Sequence, residues 1–345
     1  MRISIRESWI AAISILATFA GAQERHDAPP PFAAPGRLID IGGWKLHLDC
    51  TGEKRPSRPT AILEAGIGDF SVEWSLVQPR IASFARVCSY DRAGDGWSEL
   101  GPFPRTYAQI VYELHTLLER AGERGPLVLV GHSYGGWLVR AYQSTYPTEV
   151  AGLVLLEGGS DDPARLLPNG KLVHASDLPR GAPIPPVKTA GPLTLAEIPP
   201  GAMAAIRGGL ADAVATANEA PRNLLPDSAQ RMRTWALGRV EHVVAAQNPN
   251  ENKELAKLRA ERMKNAAPLG DLPLVVVVRG VAEETGPDAS QREADRRKDF
   301  GIIAGTSRRG KLIIAQRSGH HVQLEQPDLV ASVVRDMLAT RPDST

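Results

Sequence analysis

The sequence predicts an α/β fold: a mostly parallel central sheet with helices on both faces, interrupted by a mainly helical insertion. Three observations carry this reading. Short apolar stretches alternate with amphipathic helical patterns, the order expected of strands joined by crossover helices. Stretches such as Leu127–Val130 and Val275–Val278 are apolar without a break, which suits strands buried on both faces. Between about Gly158 and Leu272 the alternation stops, and helical periods take over after a stretch rich in proline and glycine.

The elements follow in order. Residues 1–22 read as a signal peptide. Arg2 and Arg6 precede an apolar run from Trp9 to Phe19, and Ala20-Gly21-Ala22 supplies the small residues of a cleavage site. That run is shorter than the roughly 20 residues a membrane-spanning helix needs, so no stable membrane insertion is expected after cleavage. The chain is therefore expected to be exported, to a periplasm or beyond the cell. Residues 23–36 form a proline- and alanine-rich lead-in, expected to be flexible.

Strands are expected over 37–41 and 45–50, joined by the turn residues Gly42-Gly43, then over 60–64 and 87–90. Residues 106–121 carry Ile110, Val111, Leu114, Leu117, Leu118 and Ala121 at helical spacing. Thr106 and Gln109 stand at capping-box positions, and Gly122 stops the helix. A strand over 127–130, a helix from about Gly135 to Tyr146 and a strand over 150–156 complete the first half. Residues 158–272 are expected to be a cap or lid with helices near 202–219, 227–246 and 251–266, and no convincing strand. The sheet resumes at 274–278. A charged helix over 290–304 is expected to be a solvated outer face. A last strand covers 311–315, and a closing helix over 328–338 is opened by Pro327. The sheet domain thus comprises 37–157 and 273–345.

The 345 residues suffice for one large domain with an insertion. Lys and Arg number 40 against 39 Asp and Glu, a net charge of +1, so no broad basic surface for nucleic acid is implied. Metal-ligand spacing such as H-E-x-x-H is absent from the sequence. Two cysteines are too few for a disulfide scaffold.

The sharpest local signal is Gly131-His132-Ser133-Tyr134-Gly135, a G-x-S-x-G motif between an apolar strand and a helix. A tight strand-to-helix turn holds its central serine in a strained conformation, and flanking glycines let neighbouring backbone approach. A serine hydroxyl needs a base to take its proton. Of eight histidines, His26 lies in the lead-in, His47 and His115 read as structural, His132 packs within the turn, and His174 and His242 fall in the insertion. His320 and His321 follow the last strand, where α/β sites gather. His320, directly after Gly319, is the preferred base, and His321 the alternative.

These pieces together resemble the α/β-hydrolase family: Leu63-Glu64-Ala65-Gly66-Ile67-Gly68, the run Tyr90-Asp91-Arg92-Ala93-Gly94 with Gly96-Trp97-Ser98, the serine turn, and Gly319-His320 with Pro327 seven residues on. The resemblance covers nearly everything after residue 37. It implies an α/β-hydrolase fold in which His320 is the catalytic base and the oxyanion hole is formed by the backbone N–H groups of Tyr134 and Ile67. His-Gly-x, common in the family before the second donor, is replaced here by Ala65-Gly66-Ile67. The usual family position for the triad acid is Glu283, with Glu284 beside it. A less common arrangement gives Glu157, and Asp161 is a further candidate. An acid closing an apolar strand, as Glu157 does, is unusual unless paired or catalytic. Asp91 and Arg92 read as a structural ion pair or loop anchor, and Glu64 as a buried neighbour of the oxyanion loop. The family's sheet order also sets the second strand beside the fourth, which makes a Cys50–Cys88 disulfide possible.

The expected activity is hydrolysis of a carboxylic ester or related small acyl substrate through an acyl-enzyme, with no metal or organic cofactor. An aminopeptidase, carbon–carbon bond hydrolase or lactonase of the same fold is the alternative, and a non-catalytic ligand binder a more distant one.

Overall fold

The structure is a computed structural model that describes residues 31–339, except 57, 167–171, 180–182 and 287. The expected signal peptide and residues 23–30 of the lead-in lie outside the described residues. Residues 31–36 are pinned to the domain, unlike the flexible lead-in expected. The Trp97 indole N–H donates to Phe32 O at 3.1 Å, and His47 Nε2 contacts Pro35 O.

The central sheet contains β1 (Arg37–Asp40), β2 (Lys45–Thr51), β3 (Thr60–Glu64), β4 (Val87–Tyr90), β5 (Leu127–His132), β6 (Val150–Leu156), β9 (Leu274–Arg279) and β10 (Gly310–Ala315), in the order β1-β2-β4-β3-β5-β6-β9-β10. β2 runs antiparallel to β1 and β4, and the remaining pairs are parallel. Cys50 and Cys88 are direct register partners across β2 and β4, with Cα atoms 4.0 Å apart, and are joined by a disulfide.

Alternation along the central strands fills two cores. Ile62, Leu129, Leu153, Leu155 and Val276 point to one face, covered by α2 (Tyr107–Ala121), α3 (Tyr134–Thr145) and α8 (Ala289–Ala304). Leu63, Val128, Val130, Val154 and Val277 point to the other, covered by α1 (Gln78–Ala82) and α10 (Pro327–Ala339). Both faces are dry, hence the unbroken apolar strands in the sequence. α2 is capped by the Thr106 side chain, which accepts from Gln109 N, and ends at Gly122 with φ 75°.

The segment between β6 and β9 holds α4 (Pro200–Ala215), α5 (Asp227–Leu237), α6 (Val240–Ala245) and α7 (Glu251–Lys264). It differs from expectation in two ways. A small antiparallel hairpin, β7 (Ala164–Leu166) with β8 (Leu172–His174), sits in the stretch where no strand was expected. The helix expected over 227–246 is broken at Gly238-Arg239 into α5 and α6. No helix among the described residues is long and apolar enough to cross a membrane. Because β3, β4, β5, β6, β9 and β10 run parallel, the carboxyl ends of β3, β5, β6, β9 and β10 open on one edge of the central sheet.

Candidate active site

β5 ends in the sharp turn the sequence motif requires. Ser133 has φ 51° and ψ −116°, its N–H donates to Leu156 O at 2.9 Å, and α3 begins at the next residue. A Cβ on Gly131 would strike the backbone of Gly135, and one on Gly135 would strike Glu64 O, so only glycine lets the turn close against the end of β3. Gly158 serves the same purpose from the other side, lying against the Ser133 backbone. Tyr134 N–H opens α3, whose N-terminal dipole points toward the serine turn.

His320 and Glu157 come from the ends of two strands, β10 and β6, that flank β9. His320 follows β10, with its side chain about one-third exposed. Its Nδ1 lies 3.4 Å from Oε2 of Glu157, the residue that follows β6. Glu157 is buried, and its φ is 52°. Ser133 and Glu157 are the two non-glycine residues with positive φ among the described residues. Strain of that kind is costly and gathers at working sites. Glu157 Oε1 also accepts from Arg279 N at 2.5 Å and from Arg296 Nη1 at 3.2 Å, while Arg296 Nη2 contacts Oε2.

The usual-position candidates sit differently. Glu283 accepts the backbone N–H of His320 at 2.8 Å and pairs with Arg279 at 2.9 Å. Its carboxylate therefore anchors the His320 loop and does not reach the ring. Glu284 pairs with Arg292 at 2.9 Å, and Asp161 with Arg262 at 2.7 Å. Of the candidate acids, the one beside the imidazole is Glu157, while Glu283 and Glu284, at the position after β9, bond elsewhere. Sequence spacing cannot rank two acids on different strands, because the order β6-β9-β10 decides which one faces the ring.

The His320 loop is held from both sides. His132 Nε2 lies 2.9 Å from His320 O, so it donates there, and Nδ1 accepts from Gln323 Nε2 at 3.3 Å. Those partners fix a neutral tautomer, and burial, reinforced by His320, pulls the His132 pKa down to about 3. His321 is buried at the start of the short helix α9 (Val322–Glu325). Burial followed by Arg222 keeps it neutral, and the ring that meets Glu157 is that of His320. His320 itself is lowered to about 4, by burial first and then by Arg296, against the opposing pull of Glu283.

The loop carrying Ile67 is clamped from beneath. Arg92 donates to Glu64 Oε1 at 2.7 Å, Ala65 O at 2.8 Å, Gly66 O at 2.6 Å and Asp69 O at 3.0 Å. Burial works against its charge, but Asp95 and Glu64 hold it protonated. Asp91 pairs with His47 at 3.0 Å instead of with Arg92, so the two anchor different loops. The cap adds a second clamp. Asp69 takes Arg233 at 2.9 Å and Arg222 at 3.1 Å, and His242 Nε2 donates to Gly68 O at 2.9 Å. Asp69, His132 and His321 offer ligand atoms within 4.8 Å of one another. The charge partners of Asp69 are the guanidinium groups of Arg222 and Arg233, and both histidines of the trio are neutral.

The charged helix over 290–304 is not a solvated face throughout, as its composition suggests: Glu293 and Arg296 turn toward the sheet ends. Glu293 is buried and binds Arg279 at its side chain. The signal was present: 293, 296, 300, 303 and 304 share one helical stripe, and Phe300, Ile303 and Ala304 in it are buried.

Comparison with known proteins agrees with this architecture. A protein of Gibberella zeae described as an AB hydrolase superfamily protein is 33% identical over 123 residues, covering 34% of this chain and 38% of that protein. The chain spans between 18% and 49% of the length of the curated relatives it matches first. Among solved structures, an enol-lactonase from Burkholderia xenovorans LB400 superposes with a TM-score of 0.59 at 18% identity, covering 88% of this chain and 100% of its own. A thermophilic esterase from Thermogutta terrifontis gives 0.57 at 18% identity, covering 88% and 98%. At such identities the likeness speaks for the fold alone. The profile of the alpha/beta hydrolase family matches residues 61–333, well over half of the sequence, and the chain belongs to that family.

Proposed function

We propose that this protein is a serine hydrolase that cleaves a carboxylic ester of a small molecule through an acyl-enzyme. The observation that carries the reading is a strained Ser133 after β5 and, at the same edge of the sheet, a His320 ring backed by buried Glu157. In the first step His320 removes the Ser133 proton as Oγ attacks the carbonyl carbon. Negative charge develops on the carbonyl oxygen, which the N–H groups of Tyr134 and Ile67 receive. Two preorganised donors of this kind are worth several kcal/mol, about 2.7–4 for one. His320 then protonates the leaving alcohol, and the bond from the carbonyl carbon to that oxygen breaks. Water, deprotonated by His320, attacks the acyl-enzyme and releases the acid and Ser133. No step in this sequence requires a metal or organic cofactor.

Export to an oxidising compartment belongs to the same reading. The Cys50–Cys88 disulfide supports it, since such bonds persist where thiols are not kept reduced. The test is hydrolysis of a p-nitrophenyl ester series from acetyl to palmitoyl by the protein and its Ser133→Ala variant. Turnover abolished by the substitution is the expected result. A folded protein inert on every ester, yet labelled at Ser133 by a fluorophosphonate, would redirect the reading to amide, lactone or carbon–carbon substrates.

A further inference from the structure

Glu157 is not free to serve His320 alone. Its Oε2, the oxygen 3.4 Å from the imidazole, is also in closer contact with Arg296 Nη2, and Arg296 Nη1 reaches Oε1 at 3.2 Å. The guanidinium thus grips both carboxylate oxygens, a strong and directional arrangement. In an ordinary triad the carboxylate stabilises the imidazolium, which keeps the base protonated to fairly high pH. Here a cation fixed on the same carboxylate cancels much of its field at the ring.

Resting on the serine-hydrolase reading, we propose that Arg296 is a positioning residue that shares Glu157 with His320 and keeps the base unprotonated in acidic solution, so that Ser133 remains a nucleophile where an unmodified triad is silenced.

The other charges around the ring fit this balance. Glu283, beneath the His320 N–H, favours protonation, as does Asp69 from the oxyanion loop; Arg279, at the end of β9, opposes it. His132 packs against the ring with centroids 4.9 Å apart, and His321 lies 5.2 Å away. Both are held neutral by burial, and Arg222 of the cap lies beyond them. The remaining basic group with a direct hold on the acid's side chain is Arg296, anchored on α8 with its guanidinium 5.0 Å from the Phe300 ring centroid.

The experiment measures the rate of fluorophosphonate labelling of Ser133 in the whole protein from pH 4 to 8. It compares wild type with Arg296→Gln, Arg296→Lys and Glu283→Gln. A phosphonate probe reads serine activation without knowledge of the substrate. Removing the cation should move the half-point of labelling upward by about one pH unit or more, because a bare carboxylate would then face the imidazole. Arg296→Lys should restore most of the wild-type profile, and Glu283→Gln should move the half-point down. A destabilised protein would lose labelling at every pH and would not give shifts of opposite sign. An unchanged half-point in Arg296→Gln overturns the proposal. Failure of wild type to label at any pH rejects the serine-hydrolase reading itself. In that event NMR titration of the His320 ring in the same variants decides the Arg296 coupling, and no upward shift in Arg296→Gln overturns it.

Discussion

Glu157 Oε2 lies 3.4 Å from Nδ1 of His320, while Glu283, at the position where the family usually keeps its acid, reaches only the His320 backbone N–H. The two acids therefore have separable effects. Glu157→Gln removes the charge that stabilises the imidazolium formed during attack, and should lower kcat by about 1,000- to 10,000-fold, as loss of the triad acid does elsewhere. Glu283→Gln keeps a hydrogen-bond acceptor for the loop and should cost less than about tenfold, consistent with a positioning role. Steady-state kinetics on the best ester, with a melting curve for each variant, checks the pair. A deeper loss from Glu283→Gln than from Glu157→Gln would return the acid to the usual position.

The sheet was legible in the sequence, as were the turn at Ser133 and the loop at His320, because each is written locally. Ser133 is set by glycines within two residues, and His320 by a loop directly after a strand. The meeting of Glu157 with His320 was not, since the two are 163 residues apart and come together only where β6, β9 and β10 lie side by side. The same holds for Asp69 and Arg233, 164 residues apart, which no period or motif links. The hairpin of β7 and β8 was hidden in a segment whose prolines and glycines outweigh its strand formers. Arg296 was overlooked for a different reason: a long charged helix reads as solvated unless each charge is assigned to its stripe.

The cap is tied to the loop carrying Ile67 by buried charge. Asp69 follows Ile67 by two residues and is gripped by Arg233 from α5, which also contacts Glu73. Arg222 and Arg233 hold the Asp69 carboxyl well below its usual range despite burial. Replacing Arg233 with Met leaves two buried carboxylates short of a partner, a change that typically costs about 3–5 kcal/mol. On the proposed mechanism this loop positions a donor for the developing oxyanion, so kcat should fall by about 10- to 100-fold. Denaturation in urea and steady-state kinetics measure the two effects. A loss of stability with kcat untouched would show that the cap clamp does not reach the oxyanion loop.

The Cys50–Cys88 bridge spans 38 residues between two strands that already pair directly. On the chain-entropy account, closing a loop of that length stabilises the fold by about 4 kcal/mol. The double variant Cys50→Ala, Cys88→Ala should lower the urea midpoint accordingly. It should leave kcat near wild type at 25 °C, because the bridge sits on β2 and β4, away from Ser133 and His320. A large fall in kcat with the midpoint unchanged would contradict this division.

Stability and catalysis should respond to acid in opposite ways. His132 and His321 are buried neutral, with folded-state pKa values below the ordinary 6.5, for His132 about 3. As pH falls below about 6.5 the unfolded chain takes up these protons and the folded chain does not, so stability drops by about 1.4 kcal/mol per pH unit for each histidine. Asp69, lowered below 3.8, adds a further loss only when pH falls through that value and lower. Urea unfolding at pH 7, 6, 5 and 4 should therefore show midpoints falling well before carboxylates titrate, with a shallower fall in His132→Gln. The base is arranged the other way, since a His320 neutral in mild acid keeps Ser133 reactive as long as the fold persists. Hydrolysis at pH 5 should thus hold near its neutral-pH rate in short assays and decay with time as unfolding sets in. An initial rate at pH 5 already lost, with the protein still folded, would mean that the imidazole protonates at its ordinary value and that the charges around Glu157 do not govern it.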